Sequence, residues 1–195
     1  MADGIALFDF DGTLTRSDSF ITFARHAVRP AKLLGGVLAT LPHILLWKLG
    51  IISGGRAKEA LFGRLYGGMS HSEWCAKCRD FVPIIASGLR SDMLETLHRH
   101  QAAGHRTIIV TASPADWVKP WAESEGIEMV IGTEIAVDGS AHLTGRFATP
   151  NCHGSEKVTR LLAAIPDIRS HETWAYGDSP SDAPLLAAST HPHMV

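Results

Sequence analysis

The chain has 195 residues, enough for one compact domain or for a core with a modest insertion. Its net charge of −2 gives no electrostatic footprint for nucleic acid, and 45% hydrophobic residues is ordinary for a soluble globular protein. Three cysteines (Cys75, Cys78 and Cys152) are too few and too unevenly spaced for a disulfide framework, which favours a reducing, cytoplasmic setting.

The first residues lack the basic start and long apolar stretch of a signal peptide. An apolar run at Ile5–Phe8 predicts a first strand that ends on Asp9 and Asp11. From about Asp18 to about Ser87 the pattern is helical, with no strand-period alternation. Helices are expected over Phe20–Ala27, Arg56–Tyr66 and Ser72–Phe81. Within this block, residues 33–52 read LLGGVLATLPHILLWKLGII, long enough to span a bilayer. Pro42, His43 and Lys48 interrupt the run, so a pair of buried helices broken near Pro42 is the first expectation. A span, or attachment to a membrane surface, is the alternative.

After Gly88 helices and strands alternate. Ser91–Ala103 reads as a helix with Ser91 as cap and Gly104 as stop. Thr107–Val110 reads as a buried parallel strand. Ser113-Pro114 is expected to open the next helix, with Ser113 as cap and Pro114 at its first position. Met129–Ile131 is a short strand, and Glu134–Val137 with His142–Phe147 forms a hairpin about Asp138-Gly139. Ser155–Ile165 is helical, and Thr173–Tyr176 is a strand that stops at Gly177-Asp178. A further short strand begins near the C-terminus, where a longer tail is expected. The alternation predicts an α/β fold with a doubly wound, Rossmann-like parallel sheet. Residues 1–17 and 88–195 would form this core, and 18–87 a helical cap inserted after the first strand.

Polar residues gather where the predicted strands end. These are Asp9 and Asp11 after the first, Thr111 to Ser113 after the second, and Asp178 to Asp182 after the last. Lys157 lies near a helix start between them. In an open parallel sheet such ends converge on the ligand crevice. Crowded carboxylates repel one another, and a hard cation such as Mg²⁺ relieves that repulsion through oxygen ligands. A carboxylate can attack phosphorus, a second can move protons, and a lysine with a hydroxyl can hold phosphoryl oxygens.

Four segments carry a resemblance. DFDGTLT at Asp9–Thr15, the run ending in Thr111, Lys157 within GSEKVTRLL, and GDSPSD at Gly177–Asp182 resemble, in order, the four motifs of the haloacid dehalogenase superfamily. The resemblance implies a phosphatase, since dehalogenases of the superfamily lack the second aspartate. Asp9 would be the nucleophile and Asp11 the general acid/base. Thr111, Ala112 and Lys157 would bind the phosphoryl group. Asp9, the Asp11 carbonyl and Asp178 would hold Mg²⁺, with Asp182 orienting Lys157 or a metal-bound water.

A helical insertion after the first motif matches the first cap type of the superfamily. VTASP at Val110–Pro114 and HLTGRF at His142–Phe147 are similar to the phosphoserine-phosphatase-like subfamily. In that subfamily an acidic residue binds the substrate amine and a cap arginine its carboxylate. Asp18 occupies the first position, although true phosphoserine phosphatases usually carry Glu there. Arg56 and Arg64 are both candidates for the second. The apolar stretch with GRAKEALFGRLYGGMS at Gly55–Ser70 is also similar to bacterial phosphatidylglycerophosphate phosphatases. A small phosphorylated metabolite is therefore the expected partner, and a lipid phosphate at a membrane the alternative. A phosphotransferase would share the same aspartyl-phosphate on Asp9 and pass the group to an acceptor other than water.

Blander roles compete for several of these residues. Asp18 can cap the helix before Phe20, and Asp182 the helix near Ala183-Pro184. Trp117 and Trp121 read as core. Cys75 and Cys78 have metal-pair spacing, but no second pair accompanies them.

Overall fold

The computed structural model describes residues 4–195; the first three residues of the expected core segment lie outside it. Five strands form one sheet: β1 (Ile5–Phe8), β2 (Arg106–Pro114), β3 (Met129–Thr133), β6 (Thr173–Gly177) and β7 (His191–Met194). Their order is β3-β2-β1-β6-β7, and every adjacent pair is parallel. From β1 the chain winds outward through β2 and β3, then returns to β1's other edge with β6. That reversal creates a crevice at the carboxyl end of β1.

Alternation along β1 explains why both faces are covered. Ala6 and Phe8 pack with Leu97 of α6 (Ser91–Ala102) and with Trp117 and Trp121 of α7 (Ala115–Ser124). Ile5 and Leu7 face the other way, with Leu161 of α8 (Ser155–Ala164) and Leu185 of α9 (Ala183–Ala187). A strand buried on both faces reads as continuous apolar sequence, and IALF does.

Between β1 and α6 lie five further helices: α1 (Ser19–Ala27), α2 (Pro30–Lys48), α3 (Gly54–Tyr66), α4 (His71–Asp80) and α5 (Val82–Ser87). The hairpin of β4 (Ile135–Val137) and β5 (Leu143–Phe147) reaches back to them. Gly63 and Gly145 make that approach possible: a Cβ on Gly63 would sit 2.8 Å from the Gly145 carbonyl oxygen. Main-chain bonds from Gly68 to Leu143 and from Leu143 to Met69 close the seam. Phe23 of α1 stacks on Trp117 at 4.5 Å, and Trp74 of α4 donates to Asp116 at 2.8 Å.

Three local expectations are corrected. Helix α2 runs unbroken through Pro42, and only Gly36 and Thr40 on it are buried. Pro42 is exposed, so the carbonyl deprived of its donor can be hydrated rather than stranded. Second, β2 extends through Pro114, and α7 starts at Ala115 with no side-chain cap. The Ser113 hydroxyl is spent elsewhere, as described below. Third, Arg90 rather than Ser91 occupies the cap position of α6, again without a side-chain bond. Among the described residues, α2 is the one helix long and apolar enough to cross a membrane.

Candidate active site

Asp9 follows β1 directly, its amide still bonded to the Tyr176 carbonyl of β6. The strand pairing thus delivers the carboxylate to the crevice. Lys157, near the start of α8, is buried and reaches Asp9 Oδ1 at 2.5 Å and Asp182 Oδ1 at 2.5 Å. Asp182 is fixed in turn, because its Oδ2 accepts from the Ser179 amide at 3.1 Å and the Ser179 hydroxyl at 2.8 Å. Gly177 admits this close packing; a Cβ there would lie 2.4 Å from that of Asp182.

Burial raises Asp9 to about 7 against the opposing pull of Lys157. Burial also pulls Lys157 downward, but Asp9 and Asp182 more than offset it, so the ammonium is retained.

Asp11 sits in different surroundings. Its Oδ1 accepts from the Ser19 amide at 2.6 Å and its Oδ2 from the Ser113 hydroxyl at 2.5 Å. Ser19 Oγ lies 3.0 Å from Ser113 Oγ and accepts from Trp117 Nε1 at 3.1 Å. Because the indole can only donate, the chain has one consistent direction: Trp117 to Ser19, Ser19 to Ser113, Ser113 to Asp11. Burial raises Asp11 as well, with the Ser113 bond opposing the shift.

Thr13 Oγ1 lies 3.2 Å from Asp178 Oδ1 and 3.5 Å from Asp9 Oδ2, bridging two carboxylates. Asp9, Asp178 and Asp182 each place an oxygen within 4.8 Å of the others. Asp182 spends both oxygens on close bonds to Lys157 and Ser179, whereas Asp9 Oδ2 meets only the 3.5 Å Thr13 contact, so Asp9 and Asp178 are the side chains better placed to ligate a cation. An all-oxygen set suits Mg²⁺ or a similar hard ion. Gly12 completes the cradle. Its φ is +87°, and a Cβ would stand 2.2 Å from Asp178 Oδ2.

Asp9, Asp11, Lys157 and Asp178 line a cavity of about 1090 Å³. Thr111, Ala112 and Asp18 also border it; Thr111 is buried and accepts from the Ser113 amide at 3.0 Å. Asp18 caps α1 through a 2.7 Å bond from the Phe20 amide. Arg56 reaches the cavity, whereas Arg64 is exposed on α3 and does not border it.

Lys58 escaped the sequence reading. Its Nζ donates to the Ala112 carbonyl at 3.1 Å and lies 5.0 Å from the centre of the Phe20 ring. Burial lowers its pKa, opposed by Asp11 and Asp18. A signal was present: Lys58, Leu61, Phe62 and Leu65 share the i, i+3, i+4, i+7 spacing of one inward face. Ser19 and Ser113 were also missed as Asp11 partners, and only tertiary proximity reveals them.

The family model for haloacid dehalogenase-like hydrolases matches residues 6–187. The chain belongs to this family. It is 34% identical to the protein CicA of Caulobacter vibrioides over 185 residues, covering 94% of this chain and 82% of that protein. A Bordetella pertussis protein of unknown function superposes with a TM-score of 0.79 at 26% identity, over 97% of this chain and 88% of that one. A phosphoserine phosphatase captured as an analogue of its phospho-aspartyl intermediate gives 0.64 at 16% identity, over 97% and 84%. At that identity the last likeness shows shared fold alone.

Proposed function

We propose that this hydrolase is a Mg²⁺-dependent phosphatase that cleaves a phosphate monoester through an aspartyl-phosphate on Asp9. The observation that carries the reading is the contrast between the two aspartates. Asp9 is paired with a buried ammonium, while Asp11 meets only neutral donors at bonding distance. Two carboxylates in such unlike settings divide nucleophile from proton carrier.

Thr111, Ala112 and Lys157 hold the phosphoryl group against Asp9. A carboxylate oxygen of Asp9 forms a bond to phosphorus as the ester P–O bond breaks, and protonated Asp11 gives its proton to the departing oxygen. Asp11, now ionised, takes a proton from water as that water's oxygen bonds to phosphorus. The Asp9–phosphorus bond breaks, inorganic phosphate leaves, and the Asp9 carboxylate is restored. Lys157 stabilises charge on the phosphoryl oxygens throughout, and Asp182 keeps it in position. Asp9, Asp178 and the Asp11 carbonyl would hold Mg²⁺, which supplies charge neutralisation and polarises the phosphoryl oxygens.

A small phosphoserine-like substrate is the first reading, with Asp18 and Arg56 at the cavity wall as its amine and carboxylate partners. One observation favours a lipid phosphate as the second. Phe20, Ile44, Trp47, Leu61 and Phe147 also line the cavity and give it a large apolar share. A cytoplasmic location agrees with three free cysteines.

The test is phosphate release from phosphoserine, sugar phosphates, phosphocholine, nucleotides and phosphatidylglycerophosphate, with Mg²⁺ and with chelator. Release that requires Mg²⁺ is expected, and the preferred member assigns the substrate. Release unaffected by chelator, or none from any member, counts against the reading.

A further inference from the structure

We propose that the outer face of α2 docks the protein on an anionic lipid bilayer, with the helix lying in the plane of the surface. Among the described residues, eight of the twelve exposed large hydrophobic ones fall between Leu34 and Ile51. Leu34, Leu38, Leu41 and Leu45 are 62, 55, 50 and 59% exposed and recur at the spacing of a single helix face. A contiguous apolar strip of this kind on an otherwise ordinary surface marks an interaction site.

Charge identifies the occupant. From Ser19 to Lys58 the chain carries Arg25, Arg29, Lys32, Lys48, Arg56 and Lys58, and not one Asp or Glu. The segment is therefore +6, while the remaining residues, 12 cations against 20 anions, sum to −8. All of these cations except Lys58 are exposed. An apolar helix face flanked by cations matches an anionic bilayer, whose headgroups meet the charges while the acyl boundary takes the leucines. A second copy of the chain fits poorly, because a two-fold pairing would set the two cationic segments against each other.

The opposite face of α2 is committed to the protein. Gly36 packs so closely on α3 that a Cβ would lie 2.8 Å from Leu65 Cδ2. Thr40 is buried there and returns its hydroxyl to the Gly36 carbonyl at 2.7 Å. Crossing the bilayer would require stripping α2 from α3, whereas lying on the surface requires no rearrangement. Ile44 and Trp47 of the same helix line the active-site cavity, so docking would bring that wall to the membrane.

Co-sedimentation with vesicles tests the proposal without reference to enzymatic activity. The full chain is mixed with phosphatidylcholine vesicles or with phosphatidylcholine–phosphatidylglycerol vesicles, at low and high salt, and its mass in solution is measured alongside. Binding is expected to the anionic vesicles, weakened by salt and by removing phosphatidylglycerol. Combined Leu38→Ser, Leu41→Ser and Leu45→Ser should lower partitioning by about a hundred-fold or more at an unchanged melting temperature, since these side chains are exposed. Lys32→Gln and Lys48→Gln should each cost about five-fold. Equal binding to neutral vesicles, no binding to anionic ones, or a dimer that the triple-serine variant dissociates would each overturn it.

Discussion

The strand-end cluster and the helical wall of the same cavity are built on opposite plans. In the cluster, side chains from different strand-end loops hold one another: Lys157 joins Asp9 to Asp182, Thr13 joins Asp9 to Asp178, and Ser113 grips Asp11. The helical wall offers aliphatic and aromatic surface with a few polar groups, Asp18, Arg56 and Lys58 among them. The difference separates two tasks. A preorganised polar cluster sets which bond is broken, and an apolar wall with few polar anchors sets what is admitted. Changes in the cluster should therefore act on turnover, and changes in the wall on affinity.

Asp9→Asn should produce the largest effect. It removes the proposed nucleophile but keeps the shape, so phosphate release should fall by at least about 10³-fold. The melting temperature should stay within a few degrees, because Lys157 keeps its bond to Asp182. Normal turnover in this variant would end the aspartyl-phosphate mechanism. Gly12→Ala comes next. A methyl group 2.2 Å from Asp178 Oδ2, at a φ of +87°, must displace the loop or the carboxylate. Mg²⁺ affinity, read by titration of activity, should weaken by about 10–100-fold, with the rate recovering at saturating Mg²⁺.

Protons compete for the same site. Asp9 titrates at about 7 without the ion. A cation must displace that proton, so Mg²⁺ affinity should be flat above this pH and fall about ten-fold per unit below it. Isothermal titration between pH 6 and 8 measures the slope. A flat profile would mean that Asp9 is not a ligand.

How much of this was legible in the sequence follows from the range of the interactions. Ile5–Phe8 and the carboxylates after it can be read because strand and site are contiguous, and Gly177-Asp178 follows the same rule. The Ser113 hydroxyl was assigned to a helix cap because the local Ser-Pro pattern is a good one. Its actual partner is Asp11, 102 positions away, and no local pattern can announce that. Helix α2 misled for another reason. An apolar run with a central proline normally reads as two buried pieces, and nothing in periodicity says that one face meets α3 while the other stays exposed. Lys58 could have been found, since its inward spacing on α3 was visible, but the neighbouring arginines drew the assignment.

Lys58→Met tests the cap side of the contrast. It keeps the apolar stem and removes the charge over the cavity. An anionic substrate should lose affinity, with KM rising about ten-fold and kcat changing less. A drop in kcat at constant KM would instead place Lys58 with the chemistry and blur the division between wall and cluster.

Ser113→Ala should give the smallest change in rate and the most diagnostic change in pH dependence. The hydroxyl donates to ionised Asp11 and opposes the rise that burial causes. Without it the carboxylate is less stabilised, so the Asp11 pKa moves further up. The proton needed for the leaving group is then retained to higher pH, and the alkaline limb of kcat/KM should shift upward by about one unit. The water-activating step needs ionised Asp11 and should slow, by roughly ten-fold or less. Ser113→Thr, which keeps a donor, should restore the limb. A purely structural role for Ser113 would lower the rate at every pH and leave the limb where it was.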